Sequence, residues 1–417
     1  MFRSSRRLAL VVGLVTALGG VVGALPASSA VAPDSPNRAA EGVILDAGHP
    51  NAVPGSYVVV LKDSRASTQA VEAGATELAR QYSATVTHTY GTALKGFAVK
   101  ADATQARRLA ADPRVDYVAQ DLTVSLDVFV QPTPPSWGLD RVDERSLPLD
   151  AKYHYPSIAT GVKAYIIDTG IRYTHQEFGG RAIPGIDTVG GVAPPGNDCH
   201  GHGTHVAGTV GGRSVGLAKG VTLVAVRVLN CAGSGTTAGV IAGVNWVTTD
   251  AMTSTRPTVA NMSLGGGLSA ALNAAVTNSI AANVHYSVAA GNSFGADACT
   301  QSPASTPRAT TVGATDITDT VAGFSNLGPC VDVFAPGVGI TSAWAAADNA
   351  YNTISGTSMA SPHAAGMAAL WRFRFPADNA DAVATAIVNN ATPGVVLGLP
   401  AVPPSPNLLL FMGAVPM

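Results

Sequence analysis

Four segments of the chain place reactive side chains where the backbone must turn. Asp168 closes the apolar run VKAYIIDTG (162–170), and a turn through Thr169 and Gly170 leaves its carboxylate at a strand end. In DCHGHGTHVAGT (198–209), glycines permit close backbone approach, and His202 stands where a helix begins. GTSMASPHAAG (356–366) offers Ser358 at the start of a small-residue helix, with Gly356 before it and Pro362 near its first turn. Asn292 ends the run VHYSVAAGN (284–292). Each has an ordinary structural use: a strand-end Asp or Asn satisfies a turn, and a Ser caps a helix. Together they are a nucleophile (Ser358), a base (His202), a carboxylate to fix its tautomer (Asp168) and an amide (Asn292) that, with a backbone N–H at Ser358, can hold an oxyanion. That set performs acyl transfer. A rival reading has His200, His202 and His205 chelate a metal, but no HExxH helix accompanies them.

These residues need a frame. From about residue 160, short apolar runs alternate with helical ones: VKAYIIDTG, LVAVRVL (223–229), TVANMSLG (258–265) and VHYSVAAGN. Their near-continuous hydrophobicity predicts strands buried on both faces. Between them, 236–249 sets Val240, Val244 and Val247 on one helical face, and 268–283 does the same with Leu268, Leu272, Ala275 and Ile280. The fold class is α/β, a mainly parallel sheet flanked by helices, whose functional groups gather at the strands' carboxyl ends.

Upstream, SYVVVLKD (56–63), a helix near 68–83, KGFAVKA (95–101), a helix near 103–111 and DYVAQD (116–121) predict a small α+β unit. Residues 31 to about 53 read as a flexible lead-in, and the proline-rich QPTPPS (131–136) as an exposed joint open to cleavage. At the start, Arg3, Arg6 and Arg7 precede an apolar run from Leu8 to Leu25, with small residues ending at Ala30; this is the grammar of an export signal, by a general or a twin-arginine route. Glycines interrupting that run argue against a membrane anchor. The 417 residues carry only 12% charged side chains and a net charge of −2, with no basic cluster for holding nucleic acid.

Cysteines 199, 231, 299 and 330 are even in number, as disulfides in an exported protein require, and allow three pairings. Close neighbours, Cys199 with Cys231 and Cys299 with Cys330, are favoured.

The motifs IIDTG, GHGTHVAGT, AAGN and GTSMASPH, in the order Asp, His, Asn, Ser, resemble those of subtilisin-like serine proteases. From about Trp137 onward the chain is most similar to the proteinase K and aqualysin branch, whose cysteine pattern supports the same pairing. The resemblance implies a secreted, extracellular serine endopeptidase acting through an acyl-enzyme on proteins and peptides, a monomer without a stable membrane anchor. It implies residues 1–30 as signal peptide, 31–129 as propeptide with an inhibitor domain at about 56–121, and 130–417 as catalytic domain. The propeptide would be an intramolecular inhibitor removed by self-cleavage between about Val124 and Gln131.

The substrate would lie as an extended strand between Ser263, Leu264 and Gly265 on one side and Gly233, Ser234 and Gly235 on the other. Ala289 and Gly291 would wall the primary pocket, favouring apolar or aromatic side chains, and Thr237 stands where proteinase K has a tyrosine over an outer subsite. Calcium is the implied structural ion, held by Asp332 with the carbonyls of Pro307 and Ala309. A second, weaker calcium set is Asp140, Asp143, Glu144 and Asp150. A peptide-binding relative without catalysis is the alternative from another class, and loss of a motif residue would favour it; none is lost.

Overall fold

The structure, a computed structural model, describes residues 40–49, 52–123, 129–401 and 404–413. The export segment and part of the expected maturation window lie outside them. The chain divides into two compact units, residues 1–125 and 126–417.

In the first unit the order is β1 (Ile44–Leu45), β2 (Ala52–Leu61), α1 (Thr68–Gln81), β3 (Thr85–Tyr90), β4 (Gly96–Lys100), α2 (Ala103–Ala110) and β5 (Val115–Leu122). The strands form one sheet in the order β1-β5-β2-β4-β3. Ser67 caps α1, and Asp102 with Gln105 closes a capping box on α2, so both helix starts are fixed by local hydrogen bonds. Val59, Phe97, Val99, Leu78 and Leu109 meet in its core. Strand β3 was not expected. Its residues TVTHTY are mostly exposed at the sheet edge, so no buried alternation marks them.

The second unit opens with β6 (Phe129–Pro132), α3 (Trp137–Val142), β7 (Lys152–Tyr155), β8 (Lys163–Asp168), β9 (Ala182–Asp187), α4 (His202–Gly211), β10 (Thr222–Arg227), α5 (Thr237–Thr253) and β11 (Thr258–Met262). It continues with β12 (Gly266–Gly267), α6 (Ala270–Ala281), β13 (His285–Ala289), β14 (Gln301–Ser302), β15 (Thr310–Thr315), β16 (Val333–Pro336), β17 (Ile340–Ala343) and β18 (Tyr351–Ile354). Helices α7 (Thr357–Arg374) and α8 (Ala380–Asn390) and the short β19 (Thr392–Pro393) and β20 (Leu408–Leu409) complete it.

The main sheet runs β19-β20-β16-β15-β13-β11-β8-β10-β9, with every neighbouring pair parallel except β19 with β20. Successive side chains of β8 face opposite layers. Ala164 and Ile166 pack with Val206 and Val210 of α4 and Ala364 and Ala368 of α7, while Tyr165 and Ile167 pack with the valines of α5 and with Leu272, Val276 and Ile280 of α6. Burying each large aliphatic side chain contributes about 1.5–3 kcal/mol. Beyond β8 the chain adds β9 and β10 on one side and then β11 and β13 on the other. The carboxyl end of β8 is therefore the switch point of an open α/β sheet, where ligand crevices form.

Two expectations are corrected. Leu268 lies before α6 and is 66% exposed, because that helix is entered only at the Ser269 cap. The proline-rich stretch is not the joint: Phe129–Pro132 pairs with β7, Gln131 donates to the Ser214 carbonyl at 2.8 Å, and Lys219 donates to Gln131 at 2.6 Å. Backbone partners hold this stretch in the second unit, and the division falls between residues 125 and 126.

Candidate active site

Asp168 ends β8 at the switch point and is fully buried. Its carboxylate accepts from the Thr169 N–H at 2.7 Å and faces His202 Nδ1 at 2.8 Å and 3.0 Å. His202 is the first residue of α4, and the preceding Gly201 has φ 111°, a left-handed conformation that places the imidazole over Asp168. A Cβ at Gly201 would lie 2.5 Å from the Trp344 ring. Burial lowers the basicity of His202, but the Asp168 charge and hydrogen bond outweigh it and hold the imidazole above its ordinary pKa.

The turn before α4 is organised by Asp198, which the sequence reading passed over. Its carboxylate accepts from the N–H groups of His200, Gly201 and Thr204 at 2.9 Å each, and from the hydroxyls of Thr169 and Thr204 at 2.9 Å and 2.6 Å. An acidic residue four places before a helix start was its only signal.

Ser358 is the second residue of α7, behind the Gly356 cap, and its Oγ donates to the Ser263 carbonyl at 3.2 Å. Asn292 follows β13. Its Oδ1 accepts from both the N–H and the hydroxyl of Thr357 at 2.9 Å, which orients the amide and leaves Nδ2 as the donor beside Ser358. Thr357, also passed over, accepts from the Gly291 N–H at 3.1 Å and so ties the end of β13 to the start of α7.

Asn292 and Ser358 line a cavity of about 350 Å³ together with Ala289, Gly291, Leu264 and Gly265. Gly291 has φ 103°, and a Cβ there would come within 2.3 Å of Gln301 Oε1. A neighbouring cavity of about 510 Å³ is lined by His202, His200, Ser263, Thr237 and the Gly233, Ser234 and Gly235 segment. The two cavities share Leu264 and Gly265.

Disulfides join Cys199 to Cys231 and Cys299 to Cys330. The first ties the loop that enters α4 to the loop carrying Gly233, which are opposite contributors to the larger cavity.

The metal-chelating arrangement of histidines does not form. His205 is buried with Nε2 committed to the carbonyls of Ile340 and Asn352, and burial pushes its pKa down to about 4. Among the described residues, the acidic group able to hold a cation is Asp140, Glu144 and Asp150, whose ligand oxygens lie within 4.8 Å of one another. Asp140 Oδ1 and Glu144 Oε2 are buried without a hydrogen-bond partner, and burial raises the pKa of both groups, the state a cation would relieve. Asp143 is not part of this group; its Oδ2 accepts from the His154 N–H at 2.6 Å and faces Nδ1 at 3.0 Å, while its Oδ1, like Asp140 Oδ1 and Glu144 Oε2, is buried without a hydrogen-bond partner. Asp332, with its pKa pushed up to about 6 by burial, and Ala309 line a separate cavity of about 280 Å³; Pro307 is not on its wall.

Comparison with known proteins gives the family of the chain. Residues 159–403 match the subtilase family and residues 56–127 match the peptidase inhibitor I9 family. The chain is 47% identical to an extracellular serine proteinase of Thermus sp. (strain Rt41A) over 89% of this chain and 92% of that protein. It is 50% identical to alkaline serine exoprotease A of Vibrio alginolyticus over 76% of this chain, and spans 58% of that protein. A crystal structure of a cold-adapted subtilisin-like serine proteinase superposes with a TM-score of 0.62 at 50% identity, covering 66% of this chain and 97% of that one.

Proposed function

Since the chain belongs to the subtilase family of serine proteases and carries an I9 inhibitor domain, we propose that it is a secreted, self-processing endopeptidase with Asp168, His202 and Ser358 as its catalytic triad. The observation that carries this reading is the buried Asp168 holding His202 Nδ1 at the switch point, which leaves Nε2 to take the Ser358 proton. The Ser358 hydroxyl turns from the Ser263 carbonyl to His202 and attacks the peptide carbonyl. Asn292 Nδ2 and the Ser358 N–H stabilise the oxyanion, and His202 then protonates the leaving amine. Water repeats the sequence to release the acyl group. The uncharged wall of Ala289 and Gly291 suits apolar or aromatic side chains, and the larger cavity suits an extended peptide between the two main-chain segments. The first unit, as inhibitor, would be cut from the second near residues 124–131, after export directed by residues 1–30; extracellular relatives support that location.

Asp140, Glu144 and Asp150 would hold a calcium ion, a hard cation matched to carboxylate oxygens, which supplies charge neutralisation to the α3 region and no chemistry. Calcium then raises the melting temperature of the native enzyme and leaves that of Asp140→Asn unmoved; equal responses refute the site. The central reading is tested by expressing the full chain and Ser358→Ala, and following secreted mass and hydrolysis of an apolar peptide amide. The native chain loses its first unit and cleaves the amide; the variant stays full length and inactive. If the two behave alike, Ser358 is not the nucleophile.

A further inference from the structure

Within an α-helix the carbonyl of residue i accepts from the N–H of residue i+4. For Ser358 that partner is Pro362, which lies inside α7 and has no N–H to give. The carbonyl of the proposed nucleophile is therefore left without a helical donor. The structure fills this gap from the neighbouring strand: the Ser263 hydroxyl, just beyond β11, donates to the Ser358 carbonyl at 2.7 Å. The Ser263 oxygen in turn accepts from Asn261 Nδ2 at 2.8 Å, and Asn261 Oδ1 accepts from the Ser361 hydroxyl at 2.8 Å. The path leaves α7 at Ser361 and returns to it at Ser358.

Asn261, Ser263 and Ser361 are 1%, 3% and 0% exposed, so water does not compete for these bonds. The direction of the chain is also fixed. Asn261 Oδ1 is occupied by the Ser361 proton and Nδ2 points at Ser263, so the single Ser263 proton has one acceptor, the Ser358 carbonyl.

We propose that Asn261, Ser263 and Ser361 are positioning residues that replace the helical hydrogen bond removed by Pro362 and thereby fix the Ser358 peptide for reaction. Holding this carbonyl sets ψ of Ser358, and with it the relation of its Oγ to His202 and of its N–H to Asn292. The absence of an N–H at residue 362 has a consequence of its own: the orientation of the nucleophile is tied to the strand that lines the peptide cleft rather than to its own helix. This role of the Ser263 hydroxyl is distinct from the main-chain groups of Ser263 that would pair with substrate. The proposal rests on Ser358 being the nucleophile.

The test uses mature enzyme, with active sites counted by a phosphonylating reagent, in Ser263→Ala, Ser263→Thr and Ser263→Ala combined with Pro362→Ala. Small misplacements of a reacting group cost up to about 100-fold, so Ser263→Ala loses roughly 10- to 100-fold in kcat. KM stays unchanged because the main-chain groups remain. Threonine restores the rate, and Pro362→Ala, which returns an N–H to the helix, makes the double variant faster than Ser263→Ala alone. Native kcat in Ser263→Ala, a loss carried by KM, no rescue by threonine, or a double variant no faster than the single each overturns the proposal. Where Ser263→Ala fails to mature, Asn261→Asp serves: the new carboxylate cannot donate to Ser263, so kcat falls, and an unchanged kcat overturns the proposal. Ser358→Ala, run beside them, separates the two claims. Activity in that variant refutes the nucleophile itself, whereas its inactivity beside a native-like Ser263→Ala refutes only the positioning role.

Discussion

The interiors of the two units are built on different principles. In the first, Val59, Phe97, Val99, Leu78 and Leu109 form a small apolar core with few buried polar groups at its margin, among them Asp112, paired with the half-exposed Arg114, and Gln120, which donates to the Val53 and Ser56 carbonyls. In the second, apolar layers enclose Asp168, Asn261, Ser263, Ser361 and Thr357 directly beneath the cleft, and each of these polar side chains has a named partner. Two disulfides and buried ion pairs, Arg141 with Asp319 and Arg227 with Asp187, reinforce that unit. A unit that only folds and binds needs enough apolar area. A unit that does chemistry must also hold dry polar groups in fixed orientations, and its larger core makes that possible.

The difference breaks most sharply at Asp168. Asp168→Asn keeps the shape but removes the charge and the acceptor that fix His202, so kcat falls by roughly 10³- to 10⁴-fold. The sign of the accompanying pH change follows from the raised His202 pKa. His202 acts as a base only when neutral, so kcat/KM in the native enzyme rises with pH through a value above about 6.5, and in the variant that limb moves to lower pH. An unshifted limb would contradict the pairing.

Asn292→Ala comes next, with a loss of about 10²- to 10³-fold in kcat and little change in KM; this range is the one known for removing an oxyanion donor from subtilisin and is carried over to this site. A KM effect of the same size would mean that Asn292 binds ground-state substrate instead.

The apolar unit should fail in another way. In the uncleaved Ser358→Ala chain, Phe97→Ala destabilises the first unit by about 3–5 kcal/mol, enough to unfold so small a core, while hydrogen exchange in the second unit is unchanged. Simultaneous loss of protection in both units would show that they are one cooperative body.

The mildest contrast is with acid. Burial pushes the pKa of His205, His285 and His363 down to about 4, and all three belong to the second unit. The folded state keeps them neutral while the unfolded chain takes up protons below about pH 6.5. Their contribution is present above about pH 6.5 and is lost as pH falls toward 4. The melting temperature of the second unit, measured in the Ser358→Ala chain, should drop across that window, and a flat profile would show that these histidines are protonated in the folded state.

Much of this was legible in the sequence because the reactive residues sit where periodic segments stop. Asp168, Asn292 and Ser358 each mark the end of a buried strand or the start of a small-residue helix, and local pattern alone identifies such points. What escaped is what depends on distant segments meeting. Asp198 and Thr357 look like ordinary turn residues until their hydrogen bonds are seen, and the path from Ser361 to Ser358 crosses between a helix and a strand about 100 residues apart. Asp143 neighbours the acidic group in sequence but falls outside it, and its Oδ2 faces His154 on β7, a pairing that sequence spacing does not show. Strand β3 is polar because it lies at an edge, and the proline-rich stretch, whose Pro132, Thr133 and Pro135 are exposed as expected, is held to the second unit by β7, a partner that is not local.

The central claim, that Ser358 is the nucleophile activated by His202 and Asp168, is tested most directly by inactivating the mature enzyme with a phosphonylating reagent and mapping the adduct by peptide mass spectrometry. A single adduct on Ser358, formed in step with loss of activity and not formed by Asp168→Asn at a comparable rate, is the predicted result. An adduct on another residue, or full inactivation with Ser358 unmodified, would contradict it.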